Sequence, residues 1–162
     1  MTATTPLLRV VVLVSGRGSN LQAIAARADA GELPVRIEAV VSDRADAGAL
    51  DWARARGITT SVLSPRDFPD RAAYGRALGD LVESHAPQLV VLAGFMRILS
   101  DEFVLRFSGR MLNIHPSLLP RYAGLHTHRR ALAAGDREHG ASVHFVTPEL
   151  DGGPVVLQAR VP

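Results

Sequence analysis

The sequence of 162 residues contains neither cysteine nor lysine, and all 18 residues of the Lys and Arg types are arginine. Without cysteine there can be no disulfides, thiol nucleophiles or Cys-ligated metal centres. Without lysine there is neither a Schiff-base amine nor the lysine of a nucleoside-triphosphate phosphate loop. These absences exclude covalent catalysis by a thiol or by a lysine amine.

Long apolar runs are also missing, since none approaches the roughly 20 residues of a membrane helix, and the N-terminus lacks a secretory-signal pattern. The net charge is only +2 and the charges do not cluster, so we expect no nucleic-acid partner. We expect a cytoplasmic protein with small-molecule partners and no membrane partner, and the sequence leaves a homo-oligomer open. A 47% hydrophobic content and this length predict one domain over residues 1–162.

Apolar β-branched segments alternate with segments of helical periodicity along most of the chain. The predicted elements are strands at 8–14, 35–41, 58–63, 89–93 and 111–114, and helices at about 21–28, 47–56, 71–85, 101–107 and 125–134. Two further strands, 141–146 and 155–161, are joined by a turn too short for a parallel crossover. We therefore predict a Rossmann-like α/β fold, with a mostly parallel sheet, helices on both faces and an antiparallel C-terminal edge.

A glycine-rich turn follows the first predicted strand. Gly16 and Gly18 let the backbone approach a ligand, and the next helix offers free N–H groups to an anion. Leu21 occupies the third glycine position of the dinucleotide fingerprint, so a single phosphate fits this turn better than a dinucleotide. The alternative is a plain tight turn in which Ser19 or Asn20 caps the helix.

Asn113 and His115 lie two residues apart at the end of a predicted strand and therefore point the same way, beyond the sheet edge. An amide and an imidazole together can stabilise an oxygen on which negative charge develops. Asp151, between the last two strands, is a candidate partner of His115, because a carboxylate favours the charged imidazole. Alternatively, His115 packs on Pro116 with a backbone hydrogen bond, and Asp151 only forms a turn.

Two further segments allow more than one interpretation. His126, His128, His139 and His144 suggest metal ligands, but no carboxylate completes a recognisable spacing, so we expect no metal. The apolar stretch 94–99 follows a buried strand. It either continues into a helix or forms a wall for a flat ring.

Five segments, occurring in the family's order, resemble the folate-dependent glycinamide ribonucleotide (phosphoribosylglycinamide) formyltransferases. They are residues 16–22 (GRGSNLQ), 92–99 (LAGFMRIL), 112–120 (LNIHPSLLP), 124–128 (GLHTH) and 151–154 (DGGP). The Asn-x-His-Pro-Ser-Leu-Leu-Pro pattern is shared by folate formyltransferases generally. The glycine-rich start and Gly-Leu-His-Thr-His are more specific to the ribonucleotide enzymes.

The resemblance implies direct transfer of the formyl group of the co-substrate 10-formyltetrahydrofolate to the amine of glycinamide ribonucleotide in purine biosynthesis, through a tetrahedral intermediate. It implies a catalytic set of Asn113, His115 and Asp151. It places the ribonucleotide phosphate at Gly18, Ser19 and Asn20. The folate-binding residues that it implies are Arg71 (on a short Arg-x-x-Tyr match), Met96, Arg97, Ile98, Leu99, Asn113, Thr147, Pro148, Glu149, Leu150 and Asp151.

The family usually continues well beyond the position of Pro162, so we expect this stretch to lack the C-terminal tail and to bind the ribonucleotide weakly. The alternative enzyme is a formyltetrahydrofolate hydrolase, which shares the catalytic triplet but usually has a regulatory domain ahead of it. A methionyl-tRNA formyltransferase would carry a C-terminal RNA-binding domain. A non-catalytic phosphate-binding module would account for the glycine turn but not for the catalytic triplet.

Overall fold

The computed structural model describes residues 4–162, which form one mixed sheet with helices on both faces. The strands are β1 (Leu8–Val14), β2 (Val35–Ser42), β3 (Thr59–Val62), β4 (Leu89–Leu92), β5 (Met111–His115), β6 (His139–Phe145) and β7 (Val155–Val161). The helices are α1 (Ser19–Asp29), α2 (Gly48–Ala55), α3 (Arg71–Glu83), α4 (Asp101–Arg106) and α5 (Thr127–Ala133), with a 3₁₀ turn at Pro65–Asp67.

The strand order is β3-β2-β1-β4-β5-β6-β7. The first five strands pair in parallel, whereas β6 is antiparallel to β5 and β7 is antiparallel to β6. This arrangement confirms the predicted α/β fold with an antiparallel C-terminal edge. Within residues 4–162, no helix is both long and apolar enough to cross a membrane.

The interior strand β1 contributes to the core on both faces of the sheet, because successive side chains of a strand point to opposite faces. Val11 and Leu13 pack with residues of α3 and α4 on one face, and Val10, Val12 and Val14 pack with residues of α1 and α2 on the other. This explains why the strand has an unbroken apolar sequence rather than an alternating one. Because helices cover both faces of the sheet, the ends of the strands are where polar side chains are accessible.

The chain reverses its direction of travel across the sheet at β1. It moves outward from β1 through β2 to β3, and then returns to place β4 on the other side of β1. Loops leaving the carboxyl ends of β1 and β4 therefore diverge, and the crevice between them is where open α/β sheets bind ligands.

The structure differs from the predicted boundaries in small ways that have physical causes. Helix α5 begins at Thr127, two residues later than predicted, because His126 adopts a left-handed backbone with φ 57°. Helix α3 ends at Glu83, and Ala86 turns the chain with φ 47° just ahead of Pro87. The 3₁₀ turn at Pro65–Asp67 was not predicted from the sequence.

Candidate active site

A cavity of about 730 Å³ opens at the carboxyl ends of β4 and β5, a size suited to a drug-sized ligand. Its lining includes the three predicted catalytic residues and, with one exception, the predicted folate-binding residues. The exception is Arg71, which lies in the first turn of α3 and outside the lining. The predicted catalytic residues and most of the predicted folate-binding residues therefore converge on one cavity, although they come from distant parts of the sequence.

His115 ends β5 and is only 6% exposed. Its Nε2 atom lies 3.0 Å from the carbonyl oxygen of Tyr122, and its Nδ1 atom lies 3.6 Å from Oδ1 of Asp151. The carbonyl of Tyr122 can accept a hydrogen bond from Nε2, and the carboxylate of Asp151 lies at ion-pair distance from a protonated ring. The ring is thus held in one orientation beside the cavity.

Asp151 is the carboxylate partner that the sequence suggested for His115. Its side chain is 8% exposed, and its Oδ2 accepts a hydrogen bond of 2.8 Å from the backbone N–H of Gly124. Its backbone has φ 52°, a left-handed conformation that is unfavourable for a residue other than glycine. Such strain concentrates at functional sites, where the surrounding structure holds it in place.

Asn113 lies beside a second histidine. Its amide Nδ2 is 3.1 Å from Nε2 of His144, whose Nδ1 is 3.0 Å from the carbonyl of Phe145. Because a carbonyl accepts only from an N–H, Nδ1 of His144 carries the proton and Nε2 accepts from the Asn113 amide. This bond fixes the amide, which has a second N–H for an oxygen in the cavity. His144 also lies 3.9 Å from Asp151.

Apolar side chains at the mouth of the cavity are unusually exposed. Met96, Ile98, Leu125 and Leu150 line it and are each at least 60% exposed. Exposed apolar groups gathered around one opening mark a binding surface for an apolar ligand. The stretch 94–99 is irregular rather than helical, which agrees with its interpretation as a wall.

This wall is tied to the sheet by the buried carboxylate of Asp43. One oxygen of Asp43 accepts from the hydroxyl of Ser15 and the other from Nε of Arg97, both at 2.6 Å. The Ser15 hydroxyl in turn accepts from the backbone N–H of Met96 at 2.9 Å. Asp43 is 1% exposed, and its network joins the ends of β1 and β2 to the stretch 94–99.

A second hollow of about 180 Å³ adjoins the cavity and shares Asn20 and Gly94 with it. It is lined by the glycine-rich turn ahead of α1. Gly18 occupies the N-cap position with φ 80°, and no side chain caps the helix there. The alternative in which Ser19 or Asn20 caps this helix is therefore wrong. The first-turn N–H groups face a hollow suited to an anion.

We expect the Gly18→Ala substitution to lower the free energy of unfolding by about 2 kcal/mol. The added methyl group would lie 2.7 Å from Cβ of Ala49, on a backbone whose φ of 80° disfavours any side chain. Urea denaturation would measure the loss. The control is Gly16→Ala, where nothing lies within 4 Å of the added carbon. Equal stability of the two variants would contradict this role of Gly18.

Three site features were missed or only partly seen in the sequence. Asp43 was not singled out, because it only follows a strand and its partners lie 28 and 54 positions away. The carbonyl of Tyr122 was missed because backbone groups leave no sequence signal. His144 was suggested only as a metal ligand, although its position on alternate residues of β6 places it beside Asn113. Across residues 4–162, no three His, Asp or Glu side chains are arranged so that they could hold a metal ion.

The model of the formyl transferase family matches residues 8–162. The chain belongs to the formyl transferase family.

Within that family, the chain is similar to enzymes named for one particular acceptor. It is 57% identical over 155 residues to phosphoribosylglycinamide formyltransferase of Escherichia coli, covering 96% of this chain and 73% of that protein. The solved phosphoribosylglycinamide formyltransferase of Coxiella burnetii is 52% identical, with a TM-score of 0.92 over 96% of this chain and 72% of that chain. Glycinamide ribonucleotide transformylase 1 of Symbiobacterium toebii is 42% identical, with a TM-score of 0.95 over 100% of this chain and 76% of that chain.

Proposed function

We propose that this protein transfers the formyl group of 10-formyltetrahydrofolate to the amine of glycinamide ribonucleotide, a step of purine biosynthesis. The observation that carries the proposal is that two binding spaces adjoin each other and share Asn20 and Gly94. The larger cavity holds Asn113 and His115 and has apolar walls, and the smaller hollow begins at a helix N-terminus. A flat folate and a phosphorylated amine can therefore approach each other at these side chains.

When the new C–N bond forms, the negative charge that develops on the formyl oxygen must be stabilised. As the amine nitrogen attacks the formyl carbon, a C–N bond forms and the carbonyl electron pair moves onto oxygen. Asn113 donates its second N–H to that oxyanion, and protonated His115 stabilises it through its positive charge. Asp151 keeps the His115 ring oriented and balances its charge.

Breaking the C–N10 bond requires a proton transfer. The new ammonium loses a proton and N10 of the folate gains one as the C–N10 bond breaks, with His115 or a water as the carrier. No covalent bond to the enzyme is formed. Much of the acceleration then comes from holding both substrates in reacting geometry.

The folate is proposed to bind along the walls at residues 96–99 and 147–151, and its phosphorylated co-substrate at residues 18–20. Arg71 stays a prediction as a folate-binding residue. No metal enters the proposed chemistry. The extent of the domain and a cytoplasmic location also stay predictions.

The proposal is tested by following deformylation of 10-formyltetrahydrofolate with and without glycinamide ribonucleotide. We expect deformylation to depend on the amine. Deformylation at the same rate without the amine would identify a formyltetrahydrofolate hydrolase instead. Binding of folate with no turnover under either condition would also contradict the proposed transfer.

The Asp43 network gives a separate prediction for folate binding. In Asp43→Asn, the amide oxygen can still accept from Ser15, but the amide nitrogen would face Nε of Arg97, which is also a donor. The stretch 94–99 then loses the hydrogen bond from Arg97 that helps to hold it to the sheet. We expect the KM for the folate to rise about 10-fold, the effect of about 1.4 kcal/mol, while kcat changes less than about 2-fold.

Steady-state kinetics with each substrate varied in turn measure this split. The matched control is Asp46→Asn, which removes a carboxylate three residues away from an exposed pair with Arg44. Exposed pairs contribute little, so this variant should match the parent. A folate KM unchanged in Asp43→Asn would show that the network does not position the wall.

A further inference from the structure

Residues 121–125, called here the 121–125 turn, contact both members of the His115–Asp151 pair through their backbone. The carbonyl of Tyr122 lies 3.0 Å from Nε2 of His115, and the N–H of Gly124 donates to Asp151 at 2.8 Å. The histidine comes from β5 and the carboxylate from the segment between β6 and β7. One short turn therefore sets the relative position of two groups that come from different parts of the chain.

The 121–125 turn is held in a conformation that it would not adopt by itself. Tyr122 has φ 55°, in the left-handed region that non-glycine residues avoid. Its hydroxyl donates to Oδ2 of Asp136 at 2.6 Å. The guanidinium groups of Arg121 and Arg130 lie 5.6 and 5.3 Å from its ring centre, and the ring of His139 meets it edge-on.

Asp136 contacts two residues of the 121–125 turn, Tyr122 and Arg121. Its second oxygen accepts from Arg121 at 2.6 Å, and its own backbone N–H donates to the carbonyl of Ala131 at the end of α5. The hydrogen bond from Tyr122 and the neighbouring Arg121 lower the pKa of the Asp136 carboxyl. The carboxylate is therefore charged throughout the neutral pH range and ties the turn to α5.

Arg130 supplies a second tie from the same helix. Its guanidinium donates to the carbonyl of Ala123 at 2.7 Å and to that of Leu125 at 3.3 Å. These carbonyls flank Gly124, whose N–H holds Asp151. The contacts with His115 and Asp151 thus both come from the 121–125 turn. This turn is held in place by α5 and by Asp136, which follows it.

We infer that Asp136 is a positioning residue for formyl transfer, which acts through the Tyr122 hydroxyl and carbonyl to hold the His115 ring. Asp136 touches neither substrate in this account. The kinetic consequence rests on the proposed function. The effect on the His115 ring does not, because it follows from hydrogen bonds within the protein.

The kinetic test compares Asp136→Ala and Tyr122→Phe with the parent protein. Both variants remove the same hydrogen bond, and Tyr122→Phe keeps the aromatic ring in its packing. We expect kcat to fall about 10-fold in each, because a small displacement of a reacting group is costly, while KM for both substrates changes less than about 2-fold. The double variant should lose little more than Asp136→Ala alone, since the residues act as a unit.

The matched control is Glu138→Gln, two residues away, which breaks an exposed pair with Arg160 and should leave kcat unchanged. Circular dichroism establishes that each variant is folded. If Asp136→Ala fails to fold, the Tyr122→Phe variant decides the outcome. Parent-like kcat in a folded Tyr122→Phe variant would overturn the inference, as would a loss confined to KM.

The spectroscopic test uses ¹⁵N-labelled histidine at a pH where the His115 ring is neutral. In the parent protein the proton should lie on Nε2, because Tyr122 is the nearer acceptor. In Asp136→Ala we expect the proton to shift towards Nδ1 and Asp151. An unchanged tautomer would overturn the inference. If the parent protein shows no formyl transfer, the proposed function fails and this spectrum alone decides the role of Asp136.

Discussion

His115→Ala is expected to lower kcat by about 10²- to 10⁴-fold, the range for loss of an acid–base group. The substitution removes the positive charge beside the oxyanion and one of the two proposed carriers of the proton to N10. It also leaves Asp151 as a nearly buried carboxylate without its imidazole partner. KM should change much less than kcat, because the apolar walls and the phosphate hollow are untouched.

Single-turnover kinetics at saturating concentrations of both substrates would measure the chemical step directly. The control is His85→Ala, which removes an imidazole that lies just after α3 and outside the cavity lining. Turnover of His115→Ala within about threefold of the parent would remove this histidine from the proposed mechanism.

Asp151→Asn is expected to lower kcat by about 10²-fold, although the two side chains have nearly the same shape. The carboxylate faces His115 with one oxygen and accepts from Gly124 with the other. An asparagine has one acceptor oxygen and one donor nitrogen, so it cannot satisfy both. Either the imidazolium loses its partner or two N–H donors face each other at Gly124.

The kcat of Asp151→Asn can be compared with that of Asp80→Asn, which removes an exposed carboxylate paired with Arg106 on the outer surface. We expect the surface variant to match the parent. Parent-like kcat in Asp151→Asn would show that the charge of this carboxylate does not contribute, and that the pair serves only to fold the turn.

The fold was largely predictable because its strands are covered on both faces. A strand such as β1 must then be apolar throughout, and the glycine turn that follows it marks where the chain leaves the sheet. The same logic placed Asn113 and His115 at one edge, since alternate residues of a strand point the same way. These features depend on the local sequence and on the two-residue period with which side chains alternate along a strand.

The missed features depend on contacts between distant positions. Asp43 differs in no local way from other carboxylates, and only the folded sheet brings Arg97 to it. The left-handed conformation of Tyr122 could not be predicted either, because tyrosine is not a residue type that favours it. Such strained positions are imposed by tertiary contacts, which override local preference.

The central claim is that the formyl carbon passes directly from the folate nitrogen to the amine. The most direct measurement uses folate with a ¹³C-labelled formyl group and glycinamide ribonucleotide with a ¹⁵N-labelled amine, followed by NMR of the products. The account predicts a product in which ¹³C is coupled to ¹⁵N through one bond, formed as fast as the folate is deformylated. Appearance of the ¹³C label as free formate, with no coupled product, would contradict it.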